Sequence, residues 1–124
     1  MNRHFHPDVL KMLAKANQIR IETRRGPGSP VHQTVIWVVV DGEDVYVRSY
    51  TGRSGRWFRE IRANPRAFVL RDGRRIRVRA VLLRSPAAVA RASRAYLKKY
   101  RKSAYAKPMV RREILPTTLR LDPF

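Results

Sequence analysis

The sequence predicts a mainly β, α+β fold: a six-stranded antiparallel barrel with flanking helices, in one domain spanning residues 1–124. Short runs rich in β-branched residues recur along the chain, two of them interrupted by the hairpin dipeptide Asp-Gly, at Asp41-Gly42 and Asp72-Gly73. Helical spacing is confined to three stretches. The length suits one domain, and no linker, repeat or low-complexity tract divides it.

In chain order, residues 7–16 read as a short helix. Val9, Leu10, Met12, Leu13 and Ala16 make an apolar stripe, and Pro7 suits a first helical position. Ile19, Ile21 and Thr23 alternate with Arg20 and Glu22, the period of a half-buried strand. Residues 25–30 (Arg-Gly-Pro-Gly-Ser-Pro) are a loop by composition. Residues 31–50 read as a hairpin closing on Asp41-Gly42, and the apolar run 35–40 suggests a strand covered on both faces. Residues 57–62 form a helix with Trp57, Phe58 and Ile61 on one side. Ser54 is its expected N-cap, and Asn64-Pro65 stops it.

A second hairpin follows around Asp72-Gly73. In its later strand Ile76, Val78 and Ala80 face one way and Arg75, Arg77 and Arg79 the other. Ser85-Pro86 opens the longest helix, expected to run to about Ala104, with Val89, Ala92, Tyr96, Leu97 and Tyr100 as its stripe. Leu119 to Leu121 is a short closing strand ended by Asp122-Pro123.

Twenty-eight Lys and Arg against nine Asp and Glu give a formal charge of +19. Such a surface attracts nucleic acid, phosphorylated cofactors and acidic lipids alike, so charge alone names no partner. A GC-rich coding bias would produce the same arginine excess. With no Cys there are no disulfides, thiolate metal sites or Cys nucleophile. His4 and His6 alternate but lack a third nearby ligand, so they read as part of a mobile start and no metal site is expected. The polar start, residues 1–7, lacks the apolar core of a signal peptide, and the run 35–40 is too short to cross a bilayer. A cytoplasmic protein without membrane association is expected.

Chemistry is expected where residues 47–57 run from a strand through Ser49, Tyr50, Thr51, Gly52, Arg53, Ser54, Gly55 and Arg56 into the helix at Trp57. Glycines let backbone N–H groups approach a ligand, and a helix N-terminus presents free donors and partial positive charge. Arg53 and Arg56 add charge-assisted bonds to phosphate oxygens, with Ser49, Thr51 and Ser54 as further donors. The plainer reading is a turn with solvated arginines.

Residues 19–81 resemble the split β-barrel flavoproteins, that is, the pyridoxamine-phosphate-oxidase-like superfamily and the deazaflavin-dependent nitroreductase group. Within these they are most similar to an uncharacterised family, domain of unknown function 2255. The resemblance rests on the Ile36-Trp37-Val38 strand before Asp41-Gly42, on the Gly52-Arg53-Ser54-Gly55 loop, and on Trp57-Phe58-Arg59-Glu60-Ile61-Arg62-Ala63-Asn64-Pro65. The loop is similar to the oxidases' phosphate loop, with Ser54 standing where they carry a second basic residue.

The resemblance implies a homodimer of split barrels that binds a phosphate-bearing cofactor, FMN or a deazaflavin, as an oxidoreductase of unspecified substrate. It implies Gly52, Arg53, Ser54, Gly55 and Arg56 at the phosphate, and His32, Gln33, Thr34 and Trp57 beside the ring. Arg24 and Arg25 stand where deazaflavin binders keep a basic loop. His32 is either a proton donor near the ring or a hydrogen-bonded strand histidine.

Two alternatives remain open from the residues. Residues 96–107 interleave Tyr96, Tyr100 and Tyr105 with basic side chains as far as Lys107, and could grip nucleic acid. The bland reading turns those tyrosines inward, and in the split-barrel resemblance they could also edge the cofactor pocket. A cofactor-free structural dimer would show the same barrel strands.

Overall fold

A computed structural model describes residues 4–124. The first three residues of the polar start lie outside the described residues. Helix α1 (Pro7–Lys15) leads into β1 (Ile19–Thr23), β2 (His32–Ile36), β3 (Val39–Asp41) and β4 (Asp44–Val47). Helix α2 (Arg56–Ala63), β5 (Arg66–Arg71), β6 (Arg74–Leu82), α3 (Pro86–Lys99) and β7 (Leu119–Pro123) follow. The strands form one antiparallel sheet in the order β2-β1-β5-β6-β7-β4-β3, curled into a half-barrel with the helices at its flanks.

The described strands number seven, where the sequence reading gives six. The difference lies in residues 31–40, which break at Trp37-Val38 into β2 and β3, the two opposite edges of the sheet. The break is held by side chains in place of a ladder. The Val38 N–H points to the Tyr100 hydroxyl at 3.4 Å, and the Val38 carbonyl accepts from Tyr100 Oη at 3.2 Å and Lys99 Nζ at 2.6 Å. A backbone unit that leaves a sheet needs such partners. The expectation of cover on both faces holds for Val38 and Val39, both fully buried, but Val35 on β2 is 51% exposed.

Both hairpins form. In the second, Arg71 faces Arg74 across a two-residue turn in which Asp72 and Gly73 have φ of 52° and 74°, the left-handed pair that such a turn demands. In the first, Asp41 pairs with Asp44, so the turn centres on Gly42-Glu43, one residue later than the dipeptide suggests. On β6, Val78 and Ala80 are buried while Arg75, Arg77 and Arg79 are exposed, as the alternation requires.

The core has two parts. Leu13, Ile19, Ile21, Val38, Val45, Val47, Phe58, Ile61, Val69, Leu119 and Leu121 fill the inside of the curl beneath α1 and α2. Val39, Tyr46, Ala92, Tyr96, Tyr100, Met109 and Ile114 pack α3 and the following turns on the other side of β3 and β4. Each large apolar side chain so enclosed contributes about 1.5–3 kcal/mol.

Three local details depart from the expectations. Helix α3 opens on Ser85 and Pro86 as expected but ends at Lys99, not near Ala104. Lys99 and Tyr100 are tied to Leu13, Asn17 and Val38, and the chain turns away through a Ser103 N–H to Tyr100 carbonyl bond. The N-cap of α2 is Gly55, with no side-chain cap; Ser54 Oγ donates instead to the Thr51 carbonyl at 3.1 Å. His6 caps α1, its Nδ1 accepting from the Asp8 N–H at 3.1 Å.

Candidate functional site: an apolar cleft beside an uncapped helix

The break after β2 builds one wall of a cleft of about 420 Å³. Val35, Ile36 and Trp37 line that wall, and Tyr50, Thr51 and Trp57 line the side where β4 runs into α2. Tyr105 and Met109, from the turns after α3, complete it. Trp37 is fixed from behind, stacked on Tyr100 with ring centroids 3.7 Å apart and planes 8° from parallel. Tyr50 and Tyr105 meet edge to face at 6.3 Å, and the Arg111 guanidinium covers Tyr50 at 4.9 Å while an Arg111 N–H bonds the Tyr50 carbonyl. The turns Pro108–Val110 and Arg112–Thr117 thus strap the loop after β4 in place.

Arg48 also lines the cleft, and its guanidinium is almost wholly buried. It donates to Thr118 Oγ1 at 2.8 Å, Ser93 Oγ at 2.9 Å, and the carbonyls of Met109 at 3.1 Å and Val89 at 2.8 Å. All four acceptors are neutral, so its positive charge is solvated by the protein without a carboxylate. Burial lowers its pKa from the usual arginine value. Burial likewise raises that of Tyr96, whose ring lies 5.5 Å from the Arg48 guanidinium carbon.

At its Thr51 and Trp57 end the cleft adjoins the glycine turn. Gly52 has φ +75°, and Gly52–Ser54 is a single 3₁₀ turn whose chain passes through Gly55 into α2. Gly55 is a close approach: a Cβ there would lie 2.6 Å from both Ser49 Oγ and Thr51 Oγ1. No side chain caps α2, and Arg53 and Arg56 are exposed on either side of its start.

Of the residues singled out from the sequence, the structure places Thr34 and Trp57 in the cleft wall and Gly52, Arg53, Ser54, Gly55 and Arg56 in the adjoining turn. Ser49 is enclosed beneath that turn, its N–H donating to Thr117 Oγ1 at 3.0 Å. His32 and Gln33 sit apart from the cleft lining. His32 Nδ1 bonds Glu60 Oε2 at 2.8 Å, and Thr23 Oγ1 donates to Glu60 Oε1 at 2.8 Å, so Glu60 ties α2 to β1 and β2. Gln33 Nε2 donates to Glu22 Oε1 at 3.2 Å. Tyr96 and Tyr100, the first two tyrosines of the basic stretch, are buried, and Tyr105 alone stays 60% exposed.

Nothing in the sequence marks Gln18, Val35, Ile36, Trp37, Arg48, Tyr50 or Met109 as cleft residues. Tyr105 and Met109 belong to an irregular segment without periodicity, and only the fold brings them beside Trp37.

A family model described as an uncharacterized protein conserved in bacteria (DUF2255) matches residues 9–121. No curated protein matches the chain. Among solved structures, HutZ, the heme storage protein from Vibrio cholerae, is 12% identical with a TM-score of 0.63, over 98% of this chain and 91% of that one. A Listeria innocua protein provisionally named a pyridoxamine 5′-phosphate oxidase is 18% identical with a TM-score of 0.62, over 94% and 90%. The F420-H2-dependent reductase FDR-A is 13% identical with a TM-score of 0.63, over 86% and 93%. At these identities the likeness is one of fold, and it is the split-barrel fold that the resemblance in the sequence implies.

Proposed function

The chain belongs to the DUF2255 family, and we propose that it holds a phosphate-bearing flavin-type cofactor, FMN or a deazaflavin, as an oxidoreductase-like protein. One observation carries this reading: an apolar cleft walled by Trp37 and Trp57 runs up to an uncapped helix N-terminus flanked by two exposed arginines. Its volume of about 420 Å³ falls within the usual range for small-ligand sites, and few polar groups interrupt its walls. The N–H groups at the start of α2, with Arg53, Ser54 and Arg56, suit a phosphate; Thr34, Trp37 and Trp57 suit a flat ring. The folds of a named F420-H2-dependent reductase and a provisionally named pyridoxamine 5′-phosphate oxidase are consistent with it.

Such a group, when bound, supplies the hydride transfer itself. The chain's own residues bind and orient it. Trp37, backed by Tyr100, gives a fixed flat surface. The buried Arg48 gives the cleft a positive field, and Tyr50 with Tyr105 forms one side of it. His32 is engaged by Glu60 outside the cleft lining, so we assign it no proton-transfer role. The reading includes a homodimer, for which the exposed Val35 on edge strand β2 and Val31 just before it are the natural contact.

The test is near-ultraviolet and visible absorbance of the purified protein after mixing with FMN, a deazaflavin or haemin, followed by desalting. A stoichiometric flavin or deazaflavin band supports the proposal and selects the ring. Retention of haemin alone, or of nothing, overturns it, and the latter leaves a cofactor-free structural dimer.

A further inference from the structure

We propose that the groove between α1, β3 and α3 binds the phosphate backbone of duplex nucleic acid without reading its bases. This site is separate from the cleft, with which it shares no lining residue. The groove has a volume of about 600 Å³, and Arg91, Arg94, Lys98 and Arg101 line it. Arg91, Arg94 and Lys98 are three or four apart, which aligns them along one side of α3, and Arg101 joins them from the turn just past the helix end. A second concavity, of about 460 Å³, extends it past Arg101 to Lys102 and Ser103.

Asp41 is the one carboxylate in the groove's lining, and it faces Arg91 at 3.7 Å. Arg94, Lys98 and Arg101 make no ion pair among the described residues, and all three are exposed. Cations gathered this closely without counter-charge repel one another, and a polyanion relieves that repulsion. Arg91 to Lys98 cover about 10 Å of helix axis, a length over which a duplex presents about six phosphate charges.

Two observations favour a duplex over other polyanions. Single strands are held by stacking on exposed aromatic rings, but Tyr96 and Tyr100 on this helix are buried. An acidic membrane would call for a set of apolar anchors, and on α3 only Leu97 is an exposed large hydrophobic. The arginines of β6 are a weaker candidate, because Arg75 is already bonded to Glu22 at 2.7 Å and lies 3.5 Å over the Phe68 ring.

The experiment is fluorescence anisotropy of the full chain with a labelled duplex of about 20 base pairs, titrated between about 50 and 200 mM salt. The variants are Arg94→Gln/Lys98→Gln in the groove and Arg75→Gln/Arg77→Gln on β6. Circular dichroism and the flavin titration serve as folding and cleft controls. The groove variant is expected to lower the slope of log K against log salt by about 1.8, some 0.9 for each phosphate no longer neutralised, with the β6 variant near wild type. Equal weakening in both variants would mean a diffuse field and overturn the site. So would absence of duplex binding at the lowest salt, an equal affinity for single strands, or preferential binding to phosphatidylserine vesicles.

Discussion

The indole of Trp37 lies flat on the phenol of Tyr100, and the Tyr100 hydroxyl reaches past it to the carbonyls of Asn17 at 2.8 Å and Val38 at 3.2 Å. One tyrosine from the end of α3 therefore holds both the ring that walls the cleft and the backbone where the sheet is broken. Tyr100→Phe keeps the stack and removes the bonds, with an expected loss of about 1–3 kcal/mol. Tyr100→Ala removes both and should cost about 3–5 kcal/mol. Urea denaturation at neutral pH measures each. A Phe variant as stable as wild type would show that the hydroxyl does not hold the break.

In the proposed site Arg53 would touch the cofactor's phosphate, and being exposed it has no part in the core. Arg53→Ala should weaken FMN or deazaflavin binding by about 1.5–3 kcal/mol, about 10- to 150-fold in affinity, with the thermal midpoint of the free protein unchanged. Unaltered affinity in a fluorescence titration removes Arg53 from the site.

Gly55 tests the turn itself. A methyl group there would press on Ser49 Oγ and Thr51 Oγ1, and Ser49 is fully buried and cannot swing clear. Gly55→Ala should destabilise the fold by about 1–3 kcal/mol. Adding Ser49→Ala should recover part of that loss, because the two residues are in contact and their effects couple. Additive losses in thermal melts would show that the crowding is relieved elsewhere.

Alkaline pH should move stability in two directions. Burial pushes Lys99 down to about 8 from the usual 10.5, so between those values the unfolded chain holds a proton that the folded one has released. Stability should therefore rise as pH climbs from about 8 toward 10. Burial pushes Tyr100 up to about 12 from 10 and raises Tyr46 as well. There the unfolded chain loses its proton first, so the stability present below pH 10 declines as pH climbs toward 12. Denaturation curves across this range should show a maximum near pH 10, and Lys99→Met should abolish the rising limb. A curve flat from pH 8 to 10 in the unsubstituted protein refutes the Lys99 assignment.

Local chemistry made much of the fold legible. Pro7, Ser85-Pro86, the two Asp-Gly dipeptides and the alternation on β6 each act through a few neighbouring residues, and each lands within a residue or two of its expected place. The glycine turn and the apolar side of α2 carrying Trp57 were legible for the same reason. The break at Trp37-Val38 was not, because nothing in its own β-branched run demands it. It exists because Lys99 and Tyr100, some sixty residues later, satisfy the Val38 backbone. Arg48 was equally hidden: an arginine in a strand of a chain with 28 basic residues reads as solvated, and its four neutral partners come from α3 and the turns after it. His32 was open between two roles, and Glu60 on a distant helix decides which bond it makes.

Because β2 and β3 are successive in the chain yet stand at opposite edges of the sheet, Trp37-Val38 is a clasp that joins the ends of the curl covalently. Opening the sheet, as global unfolding must, pulls on those two residues, and Trp37 is also the cleft's flat wall. Anything seated against that ring grips the clasp shut. Ligand occupancy would thus be audible as mechanical and thermal toughness: a higher melting point, slower amide exchange in β2 and β3, and resistance to proteases that cut only an opened sheet.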